Sequence, residues 1–202
     1  MLKPTTISIF DFDETLVLEN SLGYMFQEVA TKSYWTAAIP AIAKSILLLR
    51  FGYKLRLSVK QALYKKHLKG VSEGRIYQAG IAAAARLTVN SNAMGKLNLA
   101  NERGETVIIA TASPRVYVTA ILDELKVHRF TVIGTEVDFE AGRILGEECS
   151  REAKWHAVTK VLIDLEVGNI KGYGNAPDDL FMLQQVDQGF LVKGPSVYEY
   201  TN

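Results

Sequence analysis

Two aspartates, two residues apart, directly follow the first apolar run of the chain, ISIF, in the segment DFDETLV. In extended backbone alternate side chains share a direction, so the carboxylates of Asp11 and Asp13 point the same way while Phe12 points into packing. A carboxylate is costly to desolvate where a buried strand ends, so the pair indicates a chemical role. The competing interpretation is that Asp13 only caps the following turn.

Hydrolysis of a phosphate ester is a reaction that needs two such carboxylates and a cation. The ester is anionic, so a carboxylate can attack phosphorus only where a cation such as oxygen-liganded Mg²⁺ screens the charge. Asp11 would bind that ion and attack in line, forming an aspartyl phosphate. Asp13 would protonate the leaving alcohol and then deprotonate the water that hydrolyses the intermediate.

A second segment, VIIATASPRVYV, leads a hydrophobic strand into Thr111, Ala112 and Ser113, with Pro114 at the start of a helix. The free N–H groups at a helix start, together with the helix dipole, form an anion site. Ser113 also fits an ordinary N-cap, an interpretation that leaves Thr111 unexplained.

In a third segment, GYGNAPDDLFML, Gly172 and Gly174 permit close backbone approach before Asn175, Asp178 and Asp179. An asparagine followed by acids at a helix start also fits ordinary capping. Ligands of open α/β sheets bind beyond the carboxyl ends of the strands, so we expect all three segments to line the ligand site.

These segments are positioned by strand-like runs that alternate with amphipathic helical patterns. The predicted strands are TISIF, TVIIATA, FTVIG, NIKGYG and GFLVK, and the helices include VYVTAILDEL and DDLFMLQQV. Such alternation predicts an α/β fold with a parallel sheet covered by helices. The segment VDFEAGRILG, with Gly142 as its turn residue, predicts a β-hairpin that leaves the sheet.

An all-helical pattern interrupts the alternation between Leu18 and about Asn98. We interpret it as a cap inserted after the first strand. The predicted domains are an α/β catalytic core of residues 1–17 and 99–202 and a helical cap of residues 18–98.

The order of DFDETLV, a strand ending in Thr111, REAKWHAV and GYGNAPDD resembles the haloacid dehalogenase superfamily, and within it the phosphoserine-phosphatase-like subclass IB. The resemblance covers nearly the whole chain and implies a three-layer, Rossmann-like core with a helical cap. It implies a phosphatase with Asp11 as nucleophile and Asp13 as general acid and base. It also implies a phosphate site formed by Thr111, Ala112 and Lys154, although a lysine on a helix is most often solvated.

The same resemblance implies a Mg²⁺ site formed by Asp11, Asp13, Asn175 and Asp179. The side chain of Asp13 is expected to lie off the ion. The family usually has GDSxxD where this chain reads GNAPDD, and an asparagine oxygen ligates Mg²⁺ without adding negative charge. We therefore expect weaker metal binding unless Asp178 or Asp179 compensates, and we assign no role to Glu14.

Composition is that of an ordinary globular chain, with 202 residues of which 48% are hydrophobic and 22% charged. The single cysteine, Cys149, excludes an internal disulfide, and the three histidines are too scattered for a zinc site. No secretory signal is visible at the N-terminus. We expect a cytoplasmic protein, or one peripheral on the cytosolic face of a membrane.

The net charge of +1 hides a block of nine basic residues, without an acid, between Glu28 and Glu73. This basic block consists of Lys32, Lys44, Arg50, Lys54, Arg56, Lys60, Lys65, Lys66 and Lys69. It predicts either a positive cap surface that attracts anions or simply a solvated helix face.

The apolar segment Trp35–Leu49 lies within the basic block and reads either as a buried cap helix or as an interfacial helix bordered by lysines. We expect a small phosphorylated substrate, with an anionic membrane surface as an alternative partner. Nucleic acid is not expected, because few aromatics are available for stacking. Two alternatives to a soluble phosphomonoester hydrolase therefore stay open: a phosphatidylglycerophosphatase-like lipid phosphatase, and a non-catalytic phospho-ligand binding protein.

Overall fold

A computed structural model describes residues 5–30 and 53–201 of the chain. The strands are β1 (Thr5–Phe10), β2 (Thr106–Pro114), β3 (Phe130–Thr135), β4 (Val137–Asp138), β5 (Arg143–Ile144), β6 (Val167–Gly174), β7 (Gln188–Lys193) and β8 (Ser196–Glu199). The helices are α1 (Leu22–Val29), α2 (Tyr53–His67), α3 (Glu73–Ala84), α4 (Ser91–Glu102), α5 (Arg115–Glu124), α6 (Arg151–Leu162) and α7 (Leu180–Gln185). The predicted segment Trp35–Leu49 lies outside the described residues.

The central sheet has six strands in the order β3-β2-β1-β6-β7-β8. All neighbours are parallel except β8, which runs antiparallel to β7. In the centre of the sheet, Ile9 of β1 pairs with Ile108 of β2 on one side and with Gly172 of β6 on the other. The predicted α/β fold is confirmed, and the carboxyl ends of β1, β2 and β6 meet at one edge.

Helices cover both faces of this sheet. Ile7 and Ile9 of β1 pack with Val158 of α6 and Met182 of α7 on one face. On the other face Phe10 joins the larger core cluster, which α3 and α5 complete. The alternation along β1 therefore buries both faces, and the result is the predicted three-layer core.

The helical insertion leaves and rejoins the core at neighbouring points. Val17 and Val89 form an isolated antiparallel bridge, and the Leu18 N–H donates to the Thr88 carbonyl at 2.9 Å. Between these points α3 packs against α1 and against α5, while α2 contacts β5. The insertion is thus joined to the core at its ends, and its described helices contact α5 and β5.

Helix α4 contacts β1, β2 and β8. The expected boundary between cap and core, at residue 98, falls inside this helix. We propose instead that the cap ends at Val89 and that α4 belongs to the core.

The predicted β-hairpin is present as β4 and β5, with Val137 paired to Ile144. Gly142 has φ +65, a conformation that favours glycine. A Cβ added there would lie 2.8 Å from the Tyr64 carbonyl oxygen and 2.9 Å from the Lys69 nitrogen. The hairpin turn is therefore packed closely against the end of α2.

No helix within residues 5–30 and 53–201 has both the length and the apolar character to cross a bilayer.

Close packing of α3 on α5 can be tested at Gly80, where an added Cβ would lie 2.6 Å from both the Ala120 Cβ and the Tyr117 carbonyl oxygen. We expect Gly80→Ala to lower the free energy of unfolding by about 1–3 kcal/mol, because overpacking outweighs the gain in helix propensity. In the matched control, Gly95→Ala in α4, the new methyl meets nothing within 4 Å. That variant should raise the free energy of unfolding, measured by urea denaturation, by up to about 1 kcal/mol. Equal effects of the two changes would contradict the close packing.

Candidate active site

The three polar segments meet at the carboxyl edge of β1, β2 and β6, as expected. The Asp11 N–H donates to the Tyr173 carbonyl of β6 at 2.8 Å, which fixes the exit of β1 against its neighbour. Thr111 is fully buried at the corresponding point of β2. Ser113 reaches across to Asp13, with 2.5 Å between its Oγ and the Asp13 Oδ2. The candidate nucleophile, acid and anion-binding residues therefore belong to one cleft.

Lys154 of α6 is the charged centre of this cleft and is only 2% exposed. Its Nζ donates to Asp11 Oδ1 at 2.7 Å and also to Asp179 Oδ1. Burial alone would lower the pKa of Lys154, but the two carboxylates outweigh that effect and raise it, so the side chain stays charged. The interpretation of Lys154 as a solvated helix lysine is wrong.

Burial and the nearby Asp11 carboxylate raise the pKa of Asp179, which is 1% exposed, against the opposing effect of Lys154. Its second carboxylate oxygen accepts the backbone N–H of Asn175 at 2.9 Å. Asp179 therefore joins Lys154 to the loop that follows β6.

Asp13 has an environment different from that of Asp11. Its carboxylate is held by the Ser113 hydroxyl and by the Ser21 N–H, the latter at 2.6 Å. Burial raises the pKa of Asp13, and the hydrogen bonds from Ser113 and Ser21 oppose this rise only in part. A carboxyl with a raised pKa and two hydrogen-bond partners is suited to carrying a proton.

The last residues of β2 form an irregular turn, where the pairing with β3 shifts between Ala110 and Pro114, and this turn differs from the sequence-based interpretation at Ser113. Helix α5 begins at Arg115, with Pro114 in the capping position and no side-chain cap. Ser113 is therefore not an N-cap: its hydroxyl donates to Asp13, and its N–H donates to Thr111 Oγ1 at 3.1 Å. The turn couples the candidate phosphate-binding threonine to the candidate acid.

Asn175 lies beside the exit of β1. Its Nδ2 is 3.1 Å from Glu14 Oε2 and 3.4 Å from the Asp13 carbonyl oxygen. Asp178, expected in the first turn of a helix, instead precedes α7. Asp178 is bound by Arg56 and by Arg151, so its charge is already balanced.

The residues predicted to hold a metal lie together in the cleft. In the part of the chain that the structure describes, no three His, Cys, Asp or Glu side chains form a cluster fit for a metal ion. The groups that do come together are the carboxylates of Asp11 and Asp179, both bound by Lys154, and the main-chain carbonyl of Asp13, with the Asn175 side-chain nitrogen 3.4 Å from it. Mg²⁺ takes oxygen ligands, needs only one or two carboxylates and keeps several waters. Two carboxylates, a carbonyl and an amide that carries an oxygen therefore fit Mg²⁺.

One cap residue that was not singled out in the sequence, Lys60 of α2, also lies in the cleft. Its Nζ donates to the Ala112 carbonyl at 2.7 Å and pairs with Glu148 at 2.5 Å. Tyr64, one turn further along α2, is fully buried, and its hydroxyl has no hydrogen-bond partner among the described residues. The inner face of α2 thus brings the Lys60 cation to the Ala112 carbonyl and buries the Tyr64 hydroxyl one turn away.

Spacing could have distinguished the two parts of the basic block. Arg56, Lys60 and Tyr64 are four residues apart, which places them on one helix face. The exposed lysines of α2 and the turn after it are Lys65, Lys66 and Lys69. The part of the block whose side chains the structure describes is therefore partly ion-paired lining of the cleft and partly open surface, while Lys32, Lys44, Arg50 and the side chain of Lys54 lie outside it.

The chain is similar to a known protein family and to several solved structures. A family model for haloacid dehalogenase-like hydrolases matches residues 9–184, and no curated protein matches the chain. A solved protein of unknown function from Bordetella pertussis Tohama I is similar, with a TM-score of 0.73, 17% identity, and coverage of 93% of this chain and 89% of that one.

Two solved phosphoserine phosphatase structures are also similar in fold. The apo form has a TM-score of 0.64 and 17% identity, with 94% of this chain and 86% of that one covered. A phospho-aspartyl intermediate analogue has a TM-score of 0.62 and 17% identity, with 93% and 86% covered. The matched family range runs from β1 to α7 and includes every residue of the cleft described above. This chain belongs to the haloacid dehalogenase-like hydrolase family.

Proposed function

We propose that this protein is a Mg²⁺-dependent phosphomonoester hydrolase that works through an aspartyl-phosphate intermediate. The observation that carries the proposal is the unlike surroundings of two aspartates only two residues apart. Asp11 is paired with the buried cation of Lys154, whereas Asp13 is bound by the Ser113 hydroxyl and has a raised pKa. A carboxylate beside a cation suits a nucleophile, and a carboxyl with a raised pKa suits a proton carrier.

In the proposed first step, an Asp11 carboxylate oxygen attacks the phosphorus of the substrate. The bond from phosphorus to the leaving oxygen breaks, and Asp13 gives that oxygen its proton, which releases the alcohol. In the second step Asp13 takes a proton from water, and the resulting hydroxide attacks phosphorus. This releases inorganic phosphate, and both aspartates regain their starting states.

The phosphoryl group would be held by the Thr111 hydroxyl, the Ala112 N–H and Lys154. Charge on the equatorial oxygens spreads during transfer, and donors that are already in place stabilise it without reorganisation. Asp11, the Asp13 carbonyl, Asn175 and Asp179 would hold Mg²⁺. When bound, the ion screens the repulsion between the anionic ester and the carboxylates.

A small phosphorylated molecule is the substrate class that we propose. The support is the fold similarity to phosphoserine phosphatases, one of which was solved with its substrate bound. The polar inner face of α2, with Lys60 close to the Ala112 carbonyl, adds support for a leaving group that carries polar substituents. A screen of soluble phosphomonoesters with Mg²⁺ tests this directly. No turnover of any of them would favour the non-catalytic binding alternative.

A lipid phosphate is the second candidate, favoured by the exposed lysines at the end of α2. Lys65, Lys66 and Lys69 are exposed, and positive charge at this density attracts anionic headgroups. Pelleting of the purified protein with vesicles of an anionic phospholipid, together with hydrolysis of a lipid phosphate presented in them, would support this alternative.

Replacement of the nucleophile should abolish turnover. Asp11→Asn preserves side-chain volume and keeps an oxygen acceptor for Lys154, but an amide cannot form the aspartyl phosphate. We expect kcat to fall on the order of 10⁴-fold or more, with an unchanged far-ultraviolet circular dichroism spectrum. Turnover close to wild type would remove Asp11 from the proposed role.

Replacement of the acid and base should separate the two chemical steps. With Asp13→Asn, an ester whose leaving group needs no protonation should still transfer its phosphoryl group to Asp11. Hydrolysis of the intermediate should stall, because no base activates the water. Rapid-quench measurements should show a burst of about one leaving group per enzyme, followed by little turnover. Steady turnover without a burst would argue against this assignment.

Neutralisation of the exposed lysines should change encounter with anionic substrate but not chemistry. The triple variant Lys65→Gln, Lys66→Gln, Lys69→Gln should lower kcat/KM for the physiological substrate several-fold at low salt and flatten its salt dependence. Its kcat for p-nitrophenyl phosphate should stay unchanged.

A matched control removes three exposed basic side chains from the core: Lys96, Arg103 and Lys160. If kcat/KM falls equally in both triple variants, the cap lysines have no specific role in substrate encounter and act only as ordinary solvated surface charges.

A further inference from the structure

Glu14 is the feature of the cleft to which the proposed mechanism gives no role. It follows Asp13 directly, is exposed, and has φ 60, in the left-handed region. For a residue other than glycine this conformation costs about 1–2 kcal/mol, so surrounding contacts must hold it. One such contact is the Glu14 N–H, which donates to the Glu19 carbonyl at 3.3 Å. The backbone therefore fixes where the Glu14 carboxylate can reach.

The Glu14 carboxylate reaches the side chain of Asn175. Asn175 Nδ2 donates to Glu14 Oε2 at 3.1 Å and to the Asp13 carbonyl oxygen at 3.4 Å, while no hydrogen bond from the described residues reaches Asn175 Oδ1. An asparagine amide has a donor end and an acceptor end, and binding one end fixes the direction of the other. An acceptor on Nδ2 therefore leaves the amide oxygen for a cation.

Glu14 differs from the other carboxylates around Asn175 in its partners. Asp11 and Asp179 share Lys154, and Asp178 is held by Arg56 and Arg151. Glu14 makes no salt bridge with the side chains that the structure describes, although the charge of Arg56 acts on its carboxylate. Asp178 and Asp179, the residues considered as compensation for the neutral Asn175, are thus held directly by basic partners, whereas Glu14 is not.

A solvent-accessible hollow opens beside this pair. It has a volume of about 420 Å³, and its lining includes Glu14, Leu18, Asn175 and Lys193. Water and small ions can therefore approach the Glu14 and Asn175 side chains.

From these contacts, and on the basis of the Mg²⁺ site in the proposed function, we propose that Glu14 is a positioning residue for that site. Its carboxylate holds Asn175 with the amide oxygen toward the cation and supplies the negative charge that asparagine lacks. Groups that orient a metal ligand from behind typically change metal affinity by about 10–100-fold. Glu14 and Asn175 together do what a single acidic ligand would do alone.

The pair can be tested by a double-mutant cycle with Mn²⁺ as the probe, because the electron paramagnetic resonance signal of free Mn²⁺ is lost on binding. The proteins are the full chain, Glu14→Gln, Asn175→Asp, and the double variant. We expect Glu14→Gln to raise the Kd for Mn²⁺ by about tenfold, since it puts two amides face to face and removes the charge. Glu140→Gln, an exposed carboxylate in the hairpin, is the control and should leave the Kd unchanged.

The decisive result is the effect of Glu14→Gln in the Asn175→Asp background. There a glutamine amide can donate to the new carboxylate, so the pair keeps one charge and one hydrogen bond. We expect the double variant to bind Mn²⁺ within about threefold of the Asn175→Asp variant, against about tenfold weakening by Glu14→Gln in the wild-type background, so the two changes are non-additive. Equal weakening by Glu14→Gln in both backgrounds, or no weakening in either, overturns the inference.

Phosphatase activity is measured separately on the same four proteins. Mg²⁺-dependent hydrolysis with equal Kd values for wild type and Glu14→Gln would overturn the role of Glu14 but leave the proposed function. If Glu14 and Asn175 show the expected non-additive effects on the Kd for Mn²⁺ but no phosphomonoester is hydrolysed, the role of Glu14 stands and the proposed function is overturned. Failure of the wild type to bind Mn²⁺ at millimolar concentration would overturn the role of Glu14. If hydrolysis then continued in the presence of EDTA, the protein would still be a phosphatase, but not a metal-dependent one.

Discussion

The buried ammonium of Lys154 is the interaction on which the rest of the cleft depends. A charge that is 2% exposed is tolerated only where opposite charges compensate the loss of water, and Asp11 and Asp179 supply them. These partners come from the exit of β1 and from the residue before α7, while the lysine comes from α6. One set of charges therefore joins three segments of the core. The groups that a hydrolytic reaction would use are also the groups that hold the cleft together.

The two aspartates that follow β1 are the same residue type but differ in the groups that surround them. Phe12 is fully buried between them. β1 ends at Phe10, so the extended backbone that would give the two carboxylates one direction does not continue through them. Asp11 faces the cation of α6, while Asp13 faces the Ser113 hydroxyl at the end of β2. The expectation that both carboxylates point the same way is therefore wrong, and two identical side chains have different partners.

Periodicity predicted the elements well, because local pattern determines them. Five of the six strands of the central sheet, the hairpin at Gly142 and the helix that carries Lys154 were evident from spacing and turn residues, whereas β8 was not predicted. The convergence of the three polar segments also followed, since parallel neighbours bring their carboxyl ends to one edge. The order of the motifs along the chain indicated the family, which no single motif would have indicated.

The features that sequence reasoning missed all depend on contacts between segments distant in the chain. Burial of Lys154 requires α6 to pack over the sheet, and the bond from Ser113 to Asp13 requires two strand exits to touch. Lys60 could be placed in the cleft only once α2 was known to lie over the turn at Ala112. No local pattern contains this information. The boundary near residue 98 was drawn on helical periodicity, which does not distinguish a helix on the sheet from one in a cap.

The bridge between Val17 and Val89 also bears on how the chain reaches its fold. Strands β1 and β2 are neighbours in the sheet although the whole insertion separates them in sequence. Once the bridge has formed, the loop that must close before β1 pairs with β2 contains far fewer residues. The entropic free-energy cost of closing it is then lower by about 1 kcal/mol. An insertion that assembles early would therefore speed the pairing of β1 with β2. Its internal length would also matter little to that pairing, since only the residues outside the bridge remain to be ordered.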